Sequence, residues 1–285
     1  MREKYINPFT DFGFKKLFGE EANKDLLIDF LNELLKDAGG ITDLTFIKSE
    51  QLGATEADRK AIFDLYCQNS KGEKFIVELQ KAKQKFFKDR SIYYSTFAIQ
   101  EQALKGDWDY KLNAVYTISI MDFEFDDDVS HKNKLRHDVQ LLEIETKALF
   151  YDKLKFIYLE MPKFNKNIDE LETHYDKWLY VLKNLPKLDR IPEKLREGLF
   201  LKLFEIAEIS KYDEGEQRAY QDSVKYYRDL KNVMDTAVEE ALTNKYLELI
   251  KNNILKGRSN EDIADMLELS SINEVEIIRN QLDLK

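Results

Sequence analysis

Two short apolar runs, Ala61 to Gln68 and Lys74 to Lys81, flank Asn69-Ser70-Lys71-Gly72, and this arrangement constrains the chain more than any other. Runs rich in Phe, Ile, Val, Leu and Tyr, broken by Asn, Ser and Gly, read as a β-hairpin. Closed symmetrically about that turn, the hairpin sets Asp64 opposite or nearly opposite Glu78. Cross-strand Cβ atoms then lie about 4.5–5.5 Å apart, where like charges repel unless something offsets them. Side chains alternate along a strand, so Gln80 shares the face of Glu78. Two carboxylates and an amide converge, an oxygen-rich set suited to Mg²⁺ or Mn²⁺ and to the chemistry of a metal-dependent phosphodiesterase.

Asp64 followed by Glu78-Leu79-Gln80 resembles the PD-(D/E)xK nuclease signature, with Gln80 where Lys is usual. The surrounding segments are similar to one bacterial branch, the Rpn-type recombination-promoting nucleases and transposases. They are residues 7–15 (Asn7-Pro8-Phe9-Thr10-Asp11 onward), Phe63-Asp64-Leu65-Tyr66-Cys67, Phe75 to Gln80, Asp89-Arg90-Ser91-Ile92-Tyr93-Tyr94, and Leu159-Glu160-Met161-Pro162-Lys163-Phe164. Their order and spacing fit too, over at least the first 165 residues. The resemblance implies a PD-(D/E)xK nuclease-like α/β core, a mixed sheet flanked by helices, with an α-helical C-terminal extension. It also implies a Mg²⁺-dependent DNA endonuclease (Mn²⁺ as substitute) linked to recombination or mobile elements. Asp64 and Glu78 become the expected metal ligands, and Asp64, Glu78 and Gln80 the expected catalytic set. Asp11 matches the N-terminal segment, where an acidic residue completes the metal site; its plainer reading is a helix N-cap or first-turn charge.

A chain of 285 residues can bury a sizeable core, and 43% hydrophobic with 34% charged residues reads as globular and well solvated, not disordered. The single Cys67 supplies no disulfide framework and suits a reducing compartment. No apolar stretch reaches membrane-spanning length and the first residues lack a signal-peptide core, so a cytoplasmic, membrane-free protein is expected, with a homodimer left open. A net charge of −10 runs against the basic footprint of DNA binders. From Lys71 to Arg90, however, seven basic residues face three acidic ones. Lys81, Lys83, Lys85 and Arg90 in that cluster are the candidate DNA contacts; a solvated helix face is the other reading. Lys81 and Lys83 fall on the strand face opposite Glu78 unless the strand breaks first.

Apolar spacing predicts helices over Asp25 to Leu35 and Phe86 to Lys105, and strands over Leu44 to Leu52, Val115 to Met121, Asp138 to Glu145 and Lys155 to Glu160. Asp126-Asp127-Asp128 reads as a solvated loop. After Met161-Pro162 the strand signals vanish, and Trp178 reads as a packing anchor. These shifts divide the chain into a nuclease core (1–165), a helical extension (166–250) and a helix-turn-helix-like unit (251–285). In that last unit Ser259-Asn260-Glu261-Asp262 caps a helix. Its second helix carries Glu274 and Glu276 against Arg279, a composition better suited to packing or protein contact than to base reading.

Gln80 is the departure that bears on catalysis. A Lys there brings charge to the phosphate, whereas an amide only orients water or offers a carbonyl oxygen. The alternative function is therefore a catalytically weak or inactive transposase-derived DNA- or protein-binding module. His131, His137 and His174 lack zinc-ligand spacing, and no P-loop, GxSxG or GxGxxG occurs.

Overall fold

The two seven-residue apolar runs at 74–80 and 115–121 are buried at every position, as strands must be when both sheet faces are covered. A computed structural model of the chain describes residues 3–36, 39–48, 50–51, 61–103, 109–125, 132–269 and 271–283. Asp126-Asp127-Asp128 and His131 lie outside the described residues. The strands are β1 (Thr45–Phe46), β2 (Glu50–Gln51), β3 (Ala61–Ile62), β4 (Leu65–Gln68), β5 (Lys74–Gln80), β6 (Val115–Met121), β7 (Arg136–Leu142) and β8 (Leu149–Glu160). The helices are α1 (Asp11–Phe18), α2 (Lys24–Leu34), α3 (Phe87–Gln100), α4 (His174–Asn184), α5 (Gly198–Ala207), α6 (Glu214–Leu255), α7 (Asn260–Met266) and α8 (Asn273–Asp283). Six strands form one mixed sheet in the order β1-β4-β5-β6-β8-β7, and β2 pairs with β3 apart from it. Both β5–β6 and β6–β8 are parallel, while β4–β5 and β7–β8 are antiparallel. This is the expected mixed sheet flanked by helices.

The hairpin closes where the sequence places it. Asn69 accepts the N–H groups of Lys71 and Glu73 on its side-chain oxygen, and Gly72 takes φ +80°, a conformation that favours glycine. The run expected as one strand over Ala61 to Gln68 is interrupted at Phe63-Asp64, between β3 and β4. The reach expected as a strand over Leu44 to Leu52 supplies two short pieces, β1 and β2, in different sheets. Helix α3 begins within a residue of its expected start and ends at Gln100. Strand β8 begins at Leu149, six residues earlier than expected, because its outer half exposes Leu149 and Phe150 and so lacks the alternation that marks a strand. Edge strand β7 breaks register with β8 at Gln140/Leu141 and again at Leu141/Leu142.

Alternation assigns the two sheet faces. Phe75, Val77 and Leu79 enter the main core with Ile118, Ile120 and Leu159, under α1, α2, α4 and α5. Trp178 of α4 packs against Phe18, Phe30 and Phe200, and its indole N–H donates to Asp29 Oδ2 at 2.7 Å. Helices α4 and α5 thus fill the same core as α1 and α2. The opposite face carries Lys74, Ile76, Glu78 and Gln80 and is covered by α3, which buries Phe87, Ser91, Ser95 and Ala98.

Contacts group the chain into Met1–Arg228 and Asp229–Lys285. The second unit closes its own small core of Ile250, Ile254, Ile263, Val275 and Ile278. Ser259 caps α7 by accepting the Asp262 N–H at 3.1 Å. Arg279, the basic residue of α8, is engaged inside this unit by Asn260 Oδ1 and the Arg258 carbonyl. Among the described residues no helix is long and apolar enough to cross a membrane.

Candidate active site

Strand β5 ends at Gln80 with Glu78 and Gln80 on the α3 face, both buried. Register pairs Leu65 with Val77, so Asp64, one residue earlier, stands beside Glu78. The break at Asp64 has a local cause. Its carboxylate Oδ2 accepts the Leu79 N–H at 2.7 Å, taking a backbone donor, while its own N–H points to Glu78 Oε1 at 3.3 Å. Gln80 Nε2 is 3.4 Å from Glu78 Oε2. The two acids and the amide meet as the hairpin predicts.

This pair is electrostatically expensive. Burial, reinforced by the Asp64 charge, pushes the Glu78 carboxyl up to about 8; Arg90 opposes the rise. Burial also raises Asp64, with the charge of Asp11 adding to the shift and the Leu79 N–H, Lys81 and Lys15 countering it. Desolvation and like charge both disfavour the ionised forms. Among the described residues the cation paired with Glu78 is Arg90, whose Nη2 is 3.6 Å from Oε2, beyond good hydrogen-bond length. Ser119 lies across from Glu78 on β6, fully buried, and its hydroxyl has no hydrogen-bond partner among the described residues.

The surrounding charges come from three elements. Asp11, at the start of α1 and half exposed, is ion-paired to Lys81, whose ammonium also sits 5.4 Å from the Tyr226 ring centroid. Lys81 follows the last residue of β5, so strand alternation no longer governs it, and it turns toward the acid pair. Lys83 and Lys85 are exposed beyond it. A cavity of about 360 Å³ opens at Asp64, with Lys15, Lys16, Phe46 and Tyr66 among its walls. Lys16 is bound to Glu20 and Glu216, while Lys15 stands exposed. On α3, Arg90 lies over the Tyr94 ring at 5.2 Å. Tyr94 is held edge-on to Phe63 and feels the charges of Glu78 and Asp64; its neighbour Tyr93 faces solvent and packs on Phe97. Tyr94, Ser119 and Lys15 are the members that motif reading missed. The four-residue step from Arg90 to Tyr94 along a helix was the available signal.

A comparison with protein-family models matches residues 8–237 to the PD-(D/E)XK nuclease family transposase. The chain belongs to this family. Neither the curated proteins nor the solved structures hold a match. The family match spans the whole sheet and ends within α6, so nearly all of α7 and α8's unit lies beyond it.

Nucleases of this family would need a divalent cation at such a site, and the donor set fits one. Asp64 and Glu78 present carboxylate oxygens, the Gln80 amide lies beside Glu78, and across on β6 stands the Ser119 hydroxyl, which has no hydrogen-bond partner among the described residues. A hard cation would also offset the burial and like charge that raise both acids. Among the described residues no group of three or more His, Cys, Asp or Glu converges for a metal, so Asp11 stands apart, held by Lys81.

Proposed function

We propose that this chain is a divalent-metal-dependent DNA endonuclease, serving recombination or the movement of a mobile element. The observation that carries the reading is the Asp64–Glu78 pair, Glu78 buried and Asp64 partly so at the wall of a cleft that Lys15 and Lys16 also line, both carboxyls raised, in a chain of the PD-(D/E)XK family. Asp64 and Glu78 would hold Mg²⁺ or Mn²⁺, whose contribution when bound is Lewis acidity at the phosphate. The remaining work falls to the chain's own groups. Lys15 at the cleft wall and Lys83 and Lys85 beyond β5 attract the phosphate backbone. Gln80 orients a water or a phosphate oxygen by its amide. Arg90, held near Glu78 by charge and by the Phe87 and Tyr94 rings, is placed to turn toward a phosphate once a cation neutralises Glu78. Asp11 positions Lys81, and enters the metal shell only if that ion pair opens.

Supercoiled-plasmid nicking at low salt, with Mg²⁺, Mn²⁺ or chelator, compares wild type with Asp64→Ala. The proposal expects metal-dependent nicking that the variant loses. Equal nicking by both would place the activity elsewhere. A folded protein that binds but never nicks would favour the second reading, a DNA-binding descendant, for which Gln80 speaks because it brings no positive charge to the phosphate.

A further inference from the structure

We propose that the cavity at the start of α3 takes an unpaired nucleobase, so that the preferred substrate is single-stranded or locally opened DNA. The inference rests on the nuclease reading and names the substrate form for that same site. The cavity, about 310 Å³, is walled by Phe86, Phe87, Phe123 and Phe125 together with Lys85 and Lys88. Its volume is at the small end of ligand sites, which run from roughly 300 to 1,000 Å³. Single exposed hydrophobics are ordinary on any surface. Phe86 is different in company: it is 65% exposed, at the rim of a cavity holding three more phenylalanines, with cations laid over the rings. Lys85 Nζ lies 5.5 Å from the Phe86 centroid, and Lys88 Nζ 4.7 Å from that of Phe125.

Interleaved aromatics and lysines are what a single strand requires, since every base offers a π-face and every linkage a negative charge. An intact duplex cannot use them, because its base faces are already covered by neighbouring pairs. Helix α3 begins without a side-chain cap, and its first turn carries Asp89, which also lines the cavity, so attraction for a phosphate comes from the lysines and not from the helix end. The cavity adjoins the acid pair through one side chain. Phe87, its inner wall, lies 5.6 Å from the Arg90 guanidinium, which in turn reaches Glu78. These contacts set the cavity on the Arg90 side of the acid pair, so a strand whose base stacks there approaches the site past Arg90. Stacking reads no base identity, so the preference would be for strandedness rather than sequence.

The test is fluorescence anisotropy of the full chain, with chelator present so that nothing is cut. Three DNA probes of equal length are compared: a single strand, the same strand with abasic sugars, and the duplex. The intact strand is expected to bind about 10- to 100-fold tighter than its abasic form, the range that stacking of one or two bases supplies. Phe86→Ala should erase that gap with an unchanged salt slope, because no phosphate contact is lost, and Phe86→Trp should keep it. Equal affinity for intact and abasic strands, a preference for duplex, or a gap that survives Phe86→Ala would overturn the proposal. If the duplex is preferred while plasmid nicking persists, only this inference fails. If no probe binds at low salt and no plasmid is nicked, the nuclease reading falls with it.

Discussion

The two faces of the six-stranded sheet are made from alternate residues of the same strands, yet they do opposite work. On one face Phe75, Val77 and Leu79 meet Ile118, Ile120 and Leu159 under four helices, and no charged side chain of β5 intrudes. On the other face Glu78, Gln80, Thr117, Ser119 and Glu160 are buried under or beside α3, and the hydroxyls of Thr117 and Ser119 have no partner among the described residues. Apolar burial stabilises at about 25 cal/mol per Å². Burying an unpaired acid or hydroxyl costs free energy instead. The first face therefore carries the larger apolar core, while the second, which has smaller clusters around Ile76 and Tyr158, tolerates a local loss at its polar residues. The lesson is that a strand with a residue period of two can carry stability and chemistry in one segment without either disturbing the other.

Four experiments would break or sharpen this contrast. The largest effect is expected on activity: Asp64→Ala or Glu78→Ala should reduce nicking on the order of 10³-fold or more, as removal of a metal ligand does. Circular dichroism should show the fold retained. A loss of fold in both variants would mean that the α3 face is structural after all.

The next effect is on stability. Leu159→Ala, on the core face and fully buried, should cost about 2–5 kcal/mol in denaturant unfolding. Its residual activity per folded molecule should stay near wild type. A specific loss of metal affinity in this variant would break the division between faces.

The third concerns pH. The Glu78 carboxyl is raised from 4.5 to about 8 in the fold, so the folded protein binds the extra proton between those values. Stability of the metal-free protein should then be highest at the acid end of this window and fall as pH rises through it. Thermal melts should show this decline, flattened in Glu78→Gln, and Mg²⁺ should raise the melting temperature most at the alkaline end. A metal-free melting temperature that climbs from pH 5 to 8 in wild type, relative to Glu78→Gln, would refute a raised Glu78. The smallest effect is expected from Lys81→Gln. It opens the ion pair to the half-exposed Asp11, so stability should change by less than about 1 kcal/mol. If Asp11 then joins the metal shell, calorimetric Mg²⁺ affinity should rise, and an unchanged affinity would remove Asp11 from the candidate ligands.

The sequence carries the α3-face site more completely than it carries the rest of the molecule. The turn at Asn69 to Gly72, the adjacency of Asp64 and Glu78, and β6 at Val115–Met121 are all local, set by turn chemistry and alternation, and they are legible residue by residue. Lys81 was legible only in part, because alternation fails one residue past the strand end. Ser119 reaches Glu78 through the pairing of β6 with β5, which no short-range pattern encodes, and for Tyr94 the four-residue step from Arg90 gives the helix face but not its packing on β5. The same limit hides the union of α4 and α5 with α1 and α2. Trp178 reads as an anchor from its own segment, but Phe18 and Phe30 lie far away in the chain.

The paired register shifts near the end of β7 bear on how the molecule behaves in a crowd. An edge strand offers its unpaired backbone to any other strand, and Leu141, Leu142 and Phe150 at this edge are exposed. A straight ladder there would act as a template for copy after copy. The extra residues fall on β8, between Tyr151 and Lys155 and again between Leu149 and Tyr151, and such irregularities strengthen the local twist, so a second chain meets no flat ladder to extend. Shortening this hairpin to restore a straight ladder would exchange that protection for a surface on which fibrils could seed.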